Sequence, residues 1–264
     1  MRISIIGAGN MGGAIARGLC KGTFFKGQDI CVSDVNKNNL DNIASLGLNI
    51  RCTSSNRECV QGADIILLAV KPWMVDSIAS EIKDLLQYDK QMVLSIAAGV
   101  PLSKLKDAFS DQDQVPTLFR IIPNTAIDVC ESFSCIASWN ANNEQETLIV
   151  NIFDELGKAL LIPESQINAF MSLSSCGIAY AFRYIRAAME GGVEMGVYPE
   201  MAKQVVLQTL KGAVALLENT GNHPEVEIDK VTTAGGITIK GLNEMEHAGF
   251  SSAVIKGLKA SQIQ

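Results

Sequence analysis

A chain of 264 residues exceeds one typical domain, and its 47% hydrophobic and 19% charged residues are the balance of a globular protein with ample core. A formal net charge of -6 and a pI near 5.1, with no basic run, argue against nucleic acid or an anionic membrane as partner. No apolar stretch approaches the roughly twenty residues of a membrane span, and the chain starts directly in a strand without a basic and apolar leader, so the expected compartment is the cytoplasm.

Residues 2–6 are a short apolar strand that breaks into Gly7-Ala8-Gly9-Asn10-Met11-Gly12 and then a helix over about 11–21. Strand, G-x-G-x-x-G turn and helix in that order are the context of a dinucleotide site. Gly7 permits the tight turn, Gly9 leaves room for a pyrophosphate against backbone, and Gly12 lets helix and strand pack closely. The helix start then meets the phosphates with unpaired N–H groups and the positive end of its dipole. The competing reading is a purely structural glycine turn.

Residues 29–34 read as the second strand, ending about twenty residues past Gly12, where selectivity for the adenosine ribose is set. Asp34 there favours ribose hydroxyls, whereas Ser33, Asn36 and Lys37 are groups that hold an extra phosphate; Asp34 is also an ordinary turn residue. Residues 48–52 form a short strand, and 64–70 a continuous apolar run of the kind buried on both faces of a parallel sheet. It ends at Lys71-Pro72, with helical spacing from 73 to 86 and another buried strand over 92–96. Ala97-Ala98-Gly99-Val100-Pro101 turns into the next helix, and 117–122, 132–138 and 158–162 extend the sheet, with a helix over 144–156. Strands alternating with helices predict an α/β doubly wound parallel sheet, a Rossmann-type domain over 1–162.

Beyond Pro163 helical periodicity takes over, which defines an all-α domain over 163–264. The stretch 173–195 carries Tyr180, Phe182, Ile185 and Met189 at helical spacing, and another helix starts at Pro199 and runs to 218. Helices this apolar in so short a domain need partners, and a helical homodimer interface is expected.

Ligands of open α/β sheets lie beyond the carboxyl ends of the strands. Lys71 there reaches a nicotinamide ribose or a substrate, or stays solvated; Arg120 is expected to anchor an internal acid, and Asn124 to shape its loop. Seven scattered cysteines without a C-x-x-C pair argue against a disulfide framework or zinc site, and His223, in a polar loop, and His247 read as isolated surface imidazoles. No metal is expected. The second glycine-rich segment, 231–242, opens a helix at Gly235-Gly236, and consecutive backbone N–H groups with the Thr233 and Thr238 hydroxyls suit a small carboxylate. A plain helix start with a glycine turn is the alternative.

Taken together, Gly7 to Gly12, Asn56 after Thr53-Ser54-Ser55, Ala69-Val70-Lys71-Pro72, Ala97-Ala98-Gly99, Pro123-Asn124-Thr125, residues 174–180 and 190–196, and above all the 231–242 segment resemble the pyrroline-5-carboxylate reductase family, end to end. The resemblance implies an NADPH- or NADH-binding first domain and a helical domain forming an intertwined homodimer, which in that family is often assembled further into a ring of dimers. It implies that Asn56, Ala69, Val70, Lys71, Pro72 and Ala97 join Gly7, Ala8, Gly9, Asn10, Met11, Gly12, Ser33 and Asp34 at the cofactor. Gly236, Ile237 and Thr238 would bind the substrate carboxylate, with Glu164 and Cys176 counted on the substrate side and Thr238 as the catalytic hydroxyl. The reaction implied is hydride transfer to the imine carbon of 1-pyrroline-5-carboxylate, giving L-proline, in a pocket completed by the dimer partner. The chain departs from the pattern in places: Ile178 and Ala234 stand where the family usually has proline, and Cys176 replaces a hydroxyl. A hydroxyacid dehydrogenase of the 3-hydroxyisobutyrate type is the alternative enzyme, with Lys203 or Lys211 as its lysine but without that family's motif around either; a cofactor-sensing module without turnover is the alternative outside enzymes.

Overall fold

The computed structural model describes residues 1–112 and 114–262. They divide into two compact units, Met1–Ser175 and Cys176–Gln262. Among the described residues of the first unit the strands are β1 Ile3–Ile6, β2 Ile30–Ser33, β3 Arg51–Thr53, β4 Ile65–Leu68, β5 Met92–Ser95, β6 Thr117–Ile122, β7 Ser132–Trp139 and β8 Gly157–Leu161. They make one sheet in the order β3-β2-β1-β4-β5-β6-β7-β8. The helices between them are α1 Asn10–Leu19, α2 Lys37–Ala44, α3 Asn56–Cys59, α4 Val75–Ile82, α5 Leu102–Phe109 and α6 Asn143–Asp154, followed by α7 Ile167–Met171.

The strands β1, β4 and β5 are buried at every position, which their unbroken apolar composition anticipates for strands covered on both faces. Alternate residues feed two cores. Ile5, Leu67 and Phe119 pack with Ile15 of α1 and Phe153 of α6, while Ile6, Ile66 and Leu118 pack with Ile82 of α4 and Phe109 of α5. Each of these side chains, taken wholly out of water, contributes on the order of 1.5–3 kcal/mol.

The sheet departs from the all-parallel expectation at one edge. Strand β7 runs antiparallel to β6, and β8 pairs parallel with β7, so the last two strands oppose the first six. The cause is the short connection 123–131, which holds only a 3-10 turn, whereas a parallel crossover needs about a dozen residues or more.

Arg120 on β6 does anchor an internal acid. Its guanidinium is 7% exposed, and Nη1 donates to Glu164 Oε1 at 3.0 Å. The same oxygen accepts from Leu102 N at 2.7 Å, at the start of α5, where Pro101 offers no side-chain cap. Glu164→Ala therefore strands a buried guanidinium and an open helix end. We expect it to lower unfolding stability by about 2 kcal/mol, discounted from the cost of a fully buried pair because Glu164 is a third exposed; the urea midpoint checks it, and an unchanged midpoint would refute the anchoring role.

The cysteines scattered in sequence are free, but two of them meet. The Cys59 thiol and the Arg51 guanidinium both donate to the Cys31 sulfur, which lowers its pKa to about 7, and Cys59 is pushed up by that same hydrogen bond.

In the second unit the helices are α8 Gly177–Glu194, α9 Pro199–Thr220, α10 Pro224–Val231, α11 Ile237–His247 and α12 Phe250–Ala260. His223 is exposed at the end of the 221–223 loop, where its Nδ1 accepts from Glu225 N at 3.3 Å and caps α10, with Pro224 at the first helical position. Helices α8 and α9 close where Gly192 meets Ala202, the one buried residue described in α8–α12. Elsewhere the unit is open, with Met195 and Tyr198 each 81% exposed. No helix among the described residues is long and apolar enough to cross a membrane.

Candidate functional site

Strand β1 ends at Ile6, and the chain can turn back into α1 only because Gly7 adopts φ +103. A Cβ on Gly7 would lie 2.4 Å from Ala69 O, and one on Gly12 would lie 1.9 Å from Gly7 O and 2.9 Å from Ala69 Cβ. Both glycines are thus required by contact with the β1–β4 end of the sheet. Gly9 differs: its Cβ would meet nothing within 4 Å, and its φ of -67 suits any residue. The space above Gly9 is open, and α1 begins there without a side-chain cap, so the N–H groups of Asn10 and Met11 face it unpaired. A bare helix start next to an empty cradle fits the pyrophosphate of a dinucleotide.

The cradle belongs to a cleft of 620 Å³ across the carboxyl ends of β1, β2, β4 and β5. Of the expected cofactor residues, Gly7, Gly9, Asn10 and Met11 line it from the turn, Ser33 and Asp34 from β2, Asn56 from α3, and Ala69, Val70, Lys71 and Pro72 from the end of β4. Ala8, Gly12 and Ala97 do not. Ala8 is buried with its N–H donating to Asp34 Oδ2 at 2.8 Å, Gly12 packs against Gly7, and Ala97 is buried with its N–H on Ser95 Oγ, which leaves its neighbour Ala98 on the cleft. Val35, Asn39, Met74 and Ile96 also line the cleft and were not among the expected residues. The missed signal at Asn39 was α2 itself, whose single buried residue, Ile43, gives too weak an apolar stripe to recognise.

Asn56 ties the floor together. Its Oδ1 accepts from Ser33 Oγ at 2.8 Å and its Nδ2 donates to Glu81 Oε2 at 2.8 Å. Lys71 is exposed at the mouth, and among the described residues no carboxylate pairs with it. The cleft therefore offers a free cation at the β4 end, an anion at the β2 end, and neutral N–H groups between them. Asn124 shapes its loop: its Oδ1 accepts from Ala126 N at 3.0 Å and its Nδ2 reaches Ser174 O.

The expected substrate residues are placed differently from one another. Gly236, Ile237 and Thr238 sit together at the start of α11 in the second unit. Gly236 N donates to Thr233 O at 2.9 Å and Gly235 has φ +72, which closes a turn of type II form with Ala234 at its second position, where proline is common. Gly236 provides no side-chain cap, so the exposed N–H groups of Ile237 and Thr238 form a second bare helix start. Cys176 is half-buried just before α8. Glu164 lies in the first unit and is held by Arg120 and Leu102 N. No group of three or more His, Cys, Asp or Glu among the described residues is placed to hold a metal.

Comparison with known proteins agrees with both units. The family described as pyrroline-5-carboxylate reductase dimerisation matches residues 164–263, and that described as NADP oxidoreductase, coenzyme F420-dependent, matches 2–99. A pyrroline-5-carboxylate reductase of Methanosarcina acetivorans is 38% identical over 99% of this chain and 97% of its own. Pyrroline-5-carboxylate reductase 1 of Dictyostelium discoideum is 36% identical over 98% of this chain, which spans only 48% of that longer protein. Among solved structures, the Plasmodium falciparum pyrroline carboxylate reductase with NADP bound superposes with a TM-score of 0.88 at 27% identity, covering 99% of this chain and 95% of that one. With a glycine cradle for a dinucleotide in one unit, a bare helix start in the other, and likeness along nearly its whole length, the chain belongs to the pyrroline-5-carboxylate reductase family.

Proposed function

We propose that this protein reduces 1-pyrroline-5-carboxylate to L-proline with NADPH or NADH. The observation that carries the reading is the pairing of two uncapped helix starts of different kinds: α1 behind a cleft large enough for a dinucleotide, and α11 behind a two-glycine turn sized for a small anion. The reduced nicotinamide, when bound, supplies the hydride. Everything else falls to the chain. Gly9 and the N–H groups of Asn10 and Met11 take the pyrophosphate, Lys71 and the Ala69–Pro72 bend hold the nicotinamide end, and Asp34 and Asn56 border the adenosine end. The N–H groups of Ile237 and Thr238, with the Thr238 hydroxyl, hold the substrate carboxylate and set the imine carbon in line.

A protonated cyclic imine is already electrophilic, so orientation and exclusion of water suffice, and both histidines stand outside the chemistry. His247 is solvent-exposed, with Glu244 3.8 Å away. Helices α8–α12, which bury almost nothing on their own, close against a second copy, and we place the functional boundary between the two domains at 162/163. The hydroxyacid dehydrogenase reading has no feature in its favour: Lys203 and Lys211 lie on the exposed α9 and line no cleft described here.

The test is oxidation of NADH and NADPH followed with 1-pyrroline-5-carboxylate, and of the oxidised cofactors with a panel of hydroxy acids. Turnover on the imine alone is expected; turnover on hydroxy acids alone, or binding without turnover, would overturn the reading. Thr238→Ala should lower kcat/KM for the imine by about tenfold, the worth of one hydrogen bond to a charged group. An unchanged kcat/KM would remove Thr238 from the site.

A further inference from the structure

The adenosine end of the cleft bears on a choice that the family reading leaves open. We propose that Asp34 makes the cleft select the cofactor with a free ribose 2′-hydroxyl, NADH, over its 2′-phosphorylated counterpart, NADPH. This rests on reading the cleft as the dinucleotide site.

Asp34 is the first residue past the carboxyl end of β2, and with pyrophosphate on the α1 N-terminus the adenosine ribose hydroxyls fall there. It borders both the main cleft and the adjoining 350 Å³ pocket. Its carboxylate is fixed by three donors: Ala8 N and Asn39 Nδ2 reach Oδ2 at 2.8 and 3.0 Å, and Asn36 N reaches Oδ1 at 2.7 Å. All three are neutral. They aim the carboxylate without cancelling its charge, and Oδ1 keeps acceptor capacity for a hydroxyl. Among the described residues no lysine or arginine pairs with it.

Two of the polar groups that sequence offered as phosphate holders are tied into the local fold. Ser33 is wholly buried and gives its hydroxyl hydrogen to Asn56. The Asn36 side chain accepts from Asn38 N and caps α2. Lys37 remains, but it borders the adjoining pocket together with Asp41 and Asp34, so one cation faces two carboxylates. A 2′-phosphate carrying close to two negative charges would enter an anionic corner, whereas a 2′-hydroxyl gains an acceptor.

The experiment is a fluorescence titration of NADH and of NADPH on the intact protein without imine, repeated on Asp34→Asn and Asp34→Ser and paired with kcat/KM on 1-pyrroline-5-carboxylate. The proposal expects Kd for NADH lower than for NADPH by about tenfold or more. Both substitutions should shrink that ratio, chiefly by tightening NADPH. The asparagine variant keeps side-chain length and acceptor, so it separates charge from local folding. NADPH binding as tightly as NADH to the unsubstituted protein, or a ratio that neither substitution moves, would overturn the proposal. Binding of neither dinucleotide would overturn the cleft reading and the proposal with it, while an NADH preference in Kd without imine turnover would support the proposal and overturn only the reaction.

Discussion

Gly12→Ala destabilises the first unit by about 3 kcal/mol, the upper end of overpacking costs, because the added methyl group meets Gly7 O at 1.9 Å and neither backbone segment has a flexible end to move. Gly9→Val behaves in the opposite way. Its backbone φ of -67 is ordinary and nothing stands within 4 Å of the new Cβ, so thermal unfolding stays close to that of the unsubstituted protein. The side chain instead fills the space for the pyrophosphate, and dinucleotide affinity falls by about a hundredfold or more. Calorimetric unfolding together with a fluorescence titration reads both effects. Gly9→Val binding cofactor normally would mean that the cradle is only a turn.

The second large effect concerns the helical unit. A domain of five helices with Ala202 as its one buried residue among α8–α12 has no core with which to offset chain entropy. Exposed Phe182, Met195, Tyr198 and Val205 are the material of an obligate interface, which typically buries about 2,000 Å² or more. Folding of this unit is therefore expected to be coupled to association with a second copy. Diluting the protein a hundredfold should lower Tm by several degrees, since association stabilises by mass action. Sedimentation at micromolar concentration should show a dimer without monomer. A monomer whose Tm is independent of concentration would refute the coupling.

Much of this was legible because the signals were local. The runs at β1, β4 and β5 are apolar at every position and announce strands covered on both faces, and G-x-G-x-x-G after the first of them located the cleft. What stayed hidden depends on tertiary context. The reversal at β7 leaves no trace in apolar pattern, though the short 123–131 connection was a usable clue. Helix α2 is short and buries only Ile43, so Asn39 beside Asp34 could not be foreseen. At the end of β5 alternation puts Ala98, not Ala97, on the cleft, and a shift of one residue is below what pattern alone resolves. Glu164 shows the same limit. Sequence alone could not show that its carboxylate is committed to Arg120 and to the start of α5.

The central claim is the proposed reaction: hydride passes from a nicotinamide cofactor bound by this protein to the imine carbon of 1-pyrroline-5-carboxylate. Label transfer tests it most directly. Cofactor bearing deuterium at its transferable nicotinamide position is incubated with the protein and 1-pyrroline-5-carboxylate, and the product is examined by NMR. The account predicts L-proline with one deuterium on the ring carbon that was the imine carbon, in equal amount to the cofactor oxidised. Cofactor oxidation without labelled proline, or no oxidation under conditions where the cofactor binds, would contradict it.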